Sequence, residues 1–275
     1  MSLHTERMAV RMRMHALRMV HEARASHIAS ALSICDILAV LYGLVLKLDP
    51  AQPRWPERDR FILSKGHACV GVYAALAERG FIAVDSLKTY GHDHSSLMNH
   101  ISHKVAGVEF STGSLGHGLP FGVGKALAAK RRQMPWRTVV LLSDGELGEG
   151  SNWEALMFAA HHGLDNLTSV IDYNKLQSLT TVEKTLRIEP LSDKLTAFGW
   201  AVQEVDGHDH AALEKSLGST PWQSGKPSVL IAHTIKGKGV AYMEDKVEWH
   251  YRTPDANQLR EALDALQAVE GALHA

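Results

Sequence analysis

Two side chains that carry oxygen ligands, Asp144 and Asn174, each follow a predicted strand. Residues 138–142 form a β-branched and aliphatic run typical of a buried strand, and residues 168–172 form a second one. In an open parallel sheet the carboxyl ends of the strands face the ligand crevice, so both side chains should lie there. A carboxylate with a carboxamide suits Mg²⁺ or Ca²⁺, and Mg²⁺ commonly bridges to phosphate oxygens. We therefore predict a metal–diphosphate site.

The elements that must position these residues alternate along the chain. A helix is predicted between the two strands, beginning near Gly150 with Trp153 and Leu156 on one face. Helices are predicted at 9–25, 33–46, 68–79, 117–131, 151–163, 209–217 and 255–269, and strands at 61–64, 138–142, 168–172, 200–205 and 228–233. This alternation is typical of an α/β fold, a parallel sheet with helices on both faces. We predict one domain over residues 1–275, with a functional loop at 90–105.

The composition argues against several other classes of protein. No apolar run reaches the roughly 18 residues of a membrane span, and a net charge of −1 gives no electrostatic reason to bind nucleic acid or a membrane surface. Cys35 and Cys69 have no metal or redox spacing, which predicts reduced thiols in a cytoplasmic protein. The Arg- and Met-rich start has helical periodicity, so we expect an amphipathic helix rather than a transit peptide.

An Asp-Gly pair after a strand, taken singly, is most often a turn. The combination of Asp144-Gly145 with Asn174 nevertheless resembles the thiamine diphosphate signature, a Gly-Asp-Gly followed further along by an Asn. Here Ser143 replaces the first Gly. More widely, the chain resembles the N-terminal, diphosphate-binding domain of transketolase nearly end to end. The segments that carry the resemblance are 25–30, 58–68, 107–118, 144–150, 172–177 and 248–250.

The resemblance implies a thiamine-diphosphate-binding fold with a defined metal and cofactor site. Mg²⁺, with Ca²⁺ or Mn²⁺ as alternatives, would bind the side chains of Asp144 and Asn174 and the carbonyl of Leu176. Diphosphate oxygens would complete the coordination, and the lack of a Cβ at Gly145 would let the backbone approach them. The residues that the resemblance places at the cofactor are His67, Gly113, Ser114, Leu115, Gly145, Glu146, Glu149, Asn174 and His250.

The chain contains 17 histidines, and a histidine taken alone is more often packed or solvated than catalytic. By resemblance, the histidines at transketolase active-site positions are His27, His67, His100 and His250. Transketolase breaks and forms a carbon–carbon bond beside a ketol, so protons must move on and off substrate hydroxyls, which suits imidazoles. The histidines expected in loops or at the surface are His92, His94, His103 and His117.

Two segments depart from the family pattern near the predicted site. Ser26 and Ala29 replace glycines beside His27, which narrows the space there and is expected to alter the donor or acceptor that the enzyme accepts. Residues 178–183 replace a segment that often reads Ile-Asp-Gly in relatives. By resemblance this loop lies beside the diphosphate, so we expect a difference in cofactor affinity or loop order.

The resemblance implies a transketolase subunit that transfers a two-carbon ketol unit from a ketose phosphate donor to an aldose acceptor. Residues 1–275 account for one α/β domain, so we expect a separate chain to supply the pyrimidine-binding domain, with the glutamate that activates the cofactor, and a C-terminal domain. Two copies of each chain would form a heterotetramer. Two alternatives stay open: a cofactor-domain subunit of a 2-oxo-acid dehydrogenase, and a non-catalytic partner protein that retains the fold.

Overall fold

The computed structural model describes residues 2–274, which form a five-stranded parallel sheet covered by helices. The strands are β1 Arg60–Leu63, β2 Thr138–Ser143, β3 Leu167–Tyr173, β4 Ala201–Asp206 and β5 Ser228–His233, and they lie in the order β1-β2-β3-β5-β4. The α-helices are α1 Ser2–Glu22, α2 Ile28–Leu32, α3 Cys35–Val40, α4 Cys69–Glu78, α5 Gly118–Arg131, α6 Gly150–His161, α7 Val182–Thr185, α8 Leu191–Ala197, α9 His210–Gly218 and α10 Ala256–Ala272. The predicted α/β fold with a parallel sheet is confirmed.

The register of the sheet brings the ends of four strands to one edge. β2 and β3 are neighbours, with Ser143 beside Asp172, so the residues that follow both strands leave the sheet together. β5 pairs with the other side of β3 and delivers the segment 234–239 to the same edge. β1 pairs with β2 and delivers the segment 64–68. This edge is where ligands bind in open parallel sheets.

Both faces of the sheet are buried at β2, β3 and β5, which explains why these strands are largely apolar runs. On β2, Val139 and Leu141 pack into a core formed with helices α1 to α4, α9 and α10. Val140 and Leu142 pack into a second core formed with helices α5 to α8. Alternate residues of a strand point to opposite faces, so a strand in the middle of the sheet must be apolar on both, whereas the edge strand β4 is partly exposed.

The helices differ from the sequence prediction mainly at their ends. Helix α1 begins at Ser2, and α3 continues after Val40 as a π-helix over Leu41–Val45. Helices α2, α7 and α8 lie where no helix is predicted, because all three are too short to show a helical repeat of apolar residues. Within residues 2–274, the helices are too short or too polar to cross a membrane.

Candidate active site

A cavity of about 270 Å³, here called the strand-end cavity, lies at the carboxyl edge of the sheet. Segments from the whole length of the chain contribute to it, including the loop 90–105, which provides His100. The lining residues are His27, Ser30, Lys65, His67, His100, Gly113, Leu115, Ser143, Asp144, Gly145, Asn174, Leu176, Gln177, Ser178, Lys236, His250 and Tyr251.

Asp144 and Asn174 meet in this cavity. The carboxylate of Asp144 accepts hydrogen bonds from the backbone N–H groups of Gly145, at 2.7 Å, and Lys175, at 2.5 Å. The amide of Asn174 donates through Nδ2 to Asp172 at 3.0 Å, and its Oδ1 accepts from the backbone N–H of Leu176 at 3.0 Å. A carbonyl oxygen has two lone pairs, so Oδ1 retains one that could bind a cation. Burial, together with the nearby Asp172 carboxylate, raises the pKa of Asp144 to about 7. A bound cation would supply the counter-charge that this buried carboxylate needs.

A buried ion pair lies beneath these two residues. Nζ of Lys65 is 2.5 Å from Oδ2 of Asp172, and both side chains are almost completely buried. Asp172 also accepts hydrogen bonds from the hydroxyls of Ser33, at 2.8 Å, and Thr234. These donors lie just after α2, β1 and β5, so three separate segments hold Asp172, and through it the side chain of Asn174, in one orientation.

Lys236 is a second buried lysine of the cavity, with 2% of its surface exposed. Its ammonium donates to the carbonyls of Leu176, at 3.3 Å, and Gln177, at 3.0 Å, and to Nδ1 of His250 at 3.0 Å. Burial, with the nearby charge of Lys65, lowers the pKa of Lys236 to about 8. An anion in the cavity would stabilise this charge. The residue is absent from the site predicted from the sequence, although it follows a predicted strand as both proposed metal ligands do.

The four predicted catalytic histidines, here called the histidine cluster, line the same cavity. The ring centroid of His27 lies 5.2 Å from that of His67, 6.0 Å from that of His100 and 4.9 Å from that of His250. Burial, reinforced by neighbouring positive charges, lowers the pKa of His27 to about 4 and that of His250 to about 3. Burial also lowers the pKa of His67 and His100. The rings are therefore neutral at pH 7, each with one donor and one acceptor nitrogen.

His27 is held in place by its backbone and by its neighbour. Its φ of +69° lies in the left-handed region, and its N–H donates to the carbonyl of His250 at 2.8 Å. The hydroxyl of Ser26 is 2.9 Å from Nδ1 of the ring. This contact with Ser26 restricts the rotation of the His27 ring.

Three residues predicted at the cofactor do not line the cavity: Ser114, Glu146 and Glu149. Glu146 is fully buried, and its carboxylate accepts hydrogen bonds from the Ser64 hydroxyl and, at 2.9 Å, from the N–H of Gly116. The side chain thus ties the segment 113–116 to the end of β1. Ser114 is exposed, and Glu149 is exposed at the start of α6.

The residues of the cavity fit a metal–diphosphate group. Among residues 2–274, no cluster of three His, Cys, Asp or Glu side chains could hold a metal ion unaided. Asp144, the Asn174 amide and the Leu176 carbonyl are hard oxygen donors that suit Mg²⁺ when diphosphate oxygens complete the coordination. Lys236 would provide positive charge for the diphosphate. A Cβ at Gly145 would come within 2.9 Å of Cγ of Gln177, so this wall of the cavity packs more closely than a residue with a side chain would allow.

The chain matches the family described as transketolase, thiamine diphosphate binding domain, over residues 4–266. It is 46% identical over 242 residues to an apulose-4-phosphate transketolase subunit of Actinobacillus succinogenes, and the match covers 88% of this chain and 87% of the relative. It is 41% identical over 225 residues to the 6-deoxy-6-sulfo-D-fructose transketolase subunit SqwG of a Clostridium species, with 82% of each chain covered.

The fold is similar to that of the solved transketolase from Campylobacter jejuni, with a TM-score of 0.85 and 28% sequence identity. This match covers 100% of the chain and 48% of the other protein, so the chain spans about half the length of that transketolase. The two subunit relatives, in contrast, are matched over most of their length. Because the family match and the fold agree with the geometry of the cavity, we conclude that this chain belongs to the transketolase family as a thiamine diphosphate-binding domain.

Proposed function

We propose that this chain is the thiamine-diphosphate-binding subunit of a two-chain transketolase, which transfers a two-carbon ketol unit from a ketose donor to an aldose acceptor. The observation that carries the proposal is the cavity in which Asp144, Asn174 and Lys236 meet the histidine cluster. The first three residues suit a metal–diphosphate group, and neutral imidazoles suit proton exchange with hydroxyls. Membership of the transketolase family favours this function over that of a 2-oxo-acid dehydrogenase subunit.

One end of the cavity would hold the cofactor. The side chains of Asp144 and Asn174 and the carbonyl of Leu176 would ligate Mg²⁺, and Lys236 would neutralise the diphosphate. The segment 113–115 forms the wall against which the aminopyrimidine would lie, through Gly113 and Leu115. When bound, thiamine diphosphate supplies the carbon that carries the two-carbon unit.

The histidine cluster would serve the substrate and its protons. Because burial keeps the rings neutral, each presents a donor and an acceptor to hydroxyl groups that gain or lose protons. His27 and His100 would face the substrate hydroxyls, and His67 and His250 would also contact the cofactor. The hydrogen bond between Lys236 and Nδ1 of His250 leaves the other nitrogen of that ring as the proton donor.

A second polypeptide would complete the active site. Two relatives named as transketolase subunits have nearly the length of this chain, which supports an enzyme divided between two chains. The partner would carry the pyrimidine-binding domain and a C-terminal domain, and two copies of each chain would form a heterotetramer. One relative is named for a phosphorylated sugar and the other for a sulfo sugar. We therefore expect the donor to be a ketose with an anionic group. We expect the enzyme to act in the cytoplasm.

The test compares three samples with Mg²⁺ and thiamine diphosphate: this chain, a candidate C-terminal chain encoded beside it, and their mixture. Ketol transfer is expected from the mixture alone, with the mass of two copies of each chain by light scattering. In the mixture, Asp144→Ala should abolish metal-dependent cofactor binding by calorimetry, whereas the exposed Asp85→Ala should bind normally. Activity of this chain alone would contradict the two-chain enzyme, and normal binding by Asp144→Ala would contradict the metal site.

A further inference from the structure

Tyr251 is an exposed aromatic residue at the edge of the strand-end cavity. It lines the cavity, yet 57% of its surface is exposed to solvent. Its ring centroid lies 4.7 Å from that of His250 and 5.7 Å from that of His27, with an edge-to-face geometry in both pairs. The ring therefore extends the wall of the histidine cluster out to the solvent.

The segment that carries Tyr251 is fixed by the residues on both sides of it. Trp249 is buried and packs against Tyr242 with 5.1 Å between the ring centroids. The His250 carbonyl accepts the hydrogen bond from the His27 backbone, and the hydroxyl of Thr253 donates to the carbonyl of Ala25. With its flanks anchored in this way, the Tyr251 ring is preorganised at the cavity edge.

The two ends of the cavity differ in chemistry. The oxygen donors suited to a metal–diphosphate group belong to Asp144, Asn174 and Leu176. Lys236 joins this end to the histidine cluster, since its Nζ lies 3.3 Å from the Leu176 carbonyl and 3.0 Å from Nδ1 of His250. Tyr251 is instead in contact with the histidine cluster, at the end left for the substrate. An aromatic ring offers an apolar face to the C–H groups of a polyol, and a phenol hydroxyl can donate to or accept from its hydroxyls.

We propose that Tyr251 is a specificity-determining residue that contacts the ketose chain beyond the two carbons that are transferred. The proposal rests on the proposed function, because it assumes that the metal–diphosphate end is filled by the cofactor. A residue in this position discriminates between donors by length, since only a donor that reaches the cavity edge can pack against its ring. Short donors do not reach the Tyr251 ring, so the ring does not contribute to their binding.

The experiment uses the enzyme assembled with its partner chain, Mg²⁺ and thiamine diphosphate. Ketose donors of increasing chain length, with and without a terminal phosphate, are compared for wild type, Tyr251→Phe and Tyr251→Ala. The KM for the longest accepted donors should rise about tenfold in Tyr251→Ala. In Tyr251→Phe, which loses only one hydrogen bond, it should rise roughly two- to fivefold. The KM for the shortest donor should change least.

Two further measurements distinguish a contact with the donor from a role in cofactor binding or assembly. The Kd for thiamine diphosphate should stay within about twofold of wild type, and the assembled mass should be unchanged. Phe158→Ala, which removes another exposed aromatic ring outside the cavity, should leave the whole donor series unaffected. Equal KM changes for all donors, a parallel change in cofactor Kd, or loss of the partner chain in Tyr251→Ala would overturn the proposal. Absence of ketol transfer in wild type would instead contradict the proposed function.

Discussion

Replacing Lys236 with methionine should stabilise the cofactor-free protein and weaken cofactor binding at the same time. Lys236 is almost fully buried, and its ammonium is hydrogen-bonded to two carbonyls and an imidazole rather than to a carboxylate. Burial and the nearby charge of Lys65 outweigh the attraction of Asp144 and Asp172, so this charge destabilises the fold, whereas the same charge would stabilise a bound diphosphate. Methionine has a similar length and no charge, so it removes both effects together.

The expected change in the free energy of unfolding follows from the pKa of Lys236, which falls from 10.5 to about 8 mainly because of burial. This difference corresponds to roughly 3 kcal/mol of destabilisation at pH 7. In the mutant, the two carbonyls and the imidazole lose their hydrogen-bond donor. They line an open cavity that water can enter, so we expect this loss to destabilise the fold by only about 1 kcal/mol. The net gain in the free energy of unfolding should be about 2 kcal/mol.

The stability gained in Lys236→Met should decrease as the pH rises. The unfolded chain retains the proton up to pH 10.5, whereas the folded state loses it near pH 8, so the destabilisation in wild type is complete below pH 8. This destabilisation of the wild-type protein decreases as the pH rises from 8 to 10.5. The advantage of Lys236→Met should therefore be largest at pH 7 and shrink at pH 9 and pH 10.

Urea unfolding of the cofactor-free protein at these three pH values measures the gain, and calorimetry on the assembled enzyme measures cofactor binding. We expect thiamine diphosphate affinity to fall roughly 10²-fold, as for the loss of a charge-assisted contact. Lys238→Met, the same change at a half-exposed lysine two positions on, should alter neither property. A less stable Lys236→Met protein that binds the cofactor like wild type would refute the reasoning.

The remaining predictions concern the histidine cluster and Glu146. His67→Ala and His250→Ala should each lower ketol-transfer turnover by about 10²–10⁴-fold at an unchanged assembled mass; a lower melting temperature at near-normal turnover would indicate packing histidines instead. Glu146→Gln should lower stability by roughly 1–3 kcal/mol and weaken cofactor binding, because an amide cannot accept every hydrogen bond that the carboxylate accepts. Unchanged melting and unchanged cofactor Kd in Glu146→Gln would contradict the assigned contacts.

The sequence by itself determined the fold and the position of Asp144 and Asn174 at the carboxyl edge of the sheet. Apolar runs of four to seven residues separated by helical repeats indicate buried parallel strands, and the predicted strands agree with β1 to β5 within one residue or so at each end. Asp144 and Asn174 could be identified because the crevice of such a sheet is always at the carboxyl ends of its strands. These inferences need only local patterns and one general property of the architecture.

Only the tertiary structure decided how residues from distant segments meet. The resemblance to transketolase named the four histidines, but the packing of α2, the loop 90–105 and the segment before α10 sets their spacing and lowers their pKa. Packing also decides that Lys236 and Glu146 are buried and that Tyr251 is exposed. A charge or ring acquires its role from the dielectric and the neighbours around it, and no local pattern in the sequence specifies those.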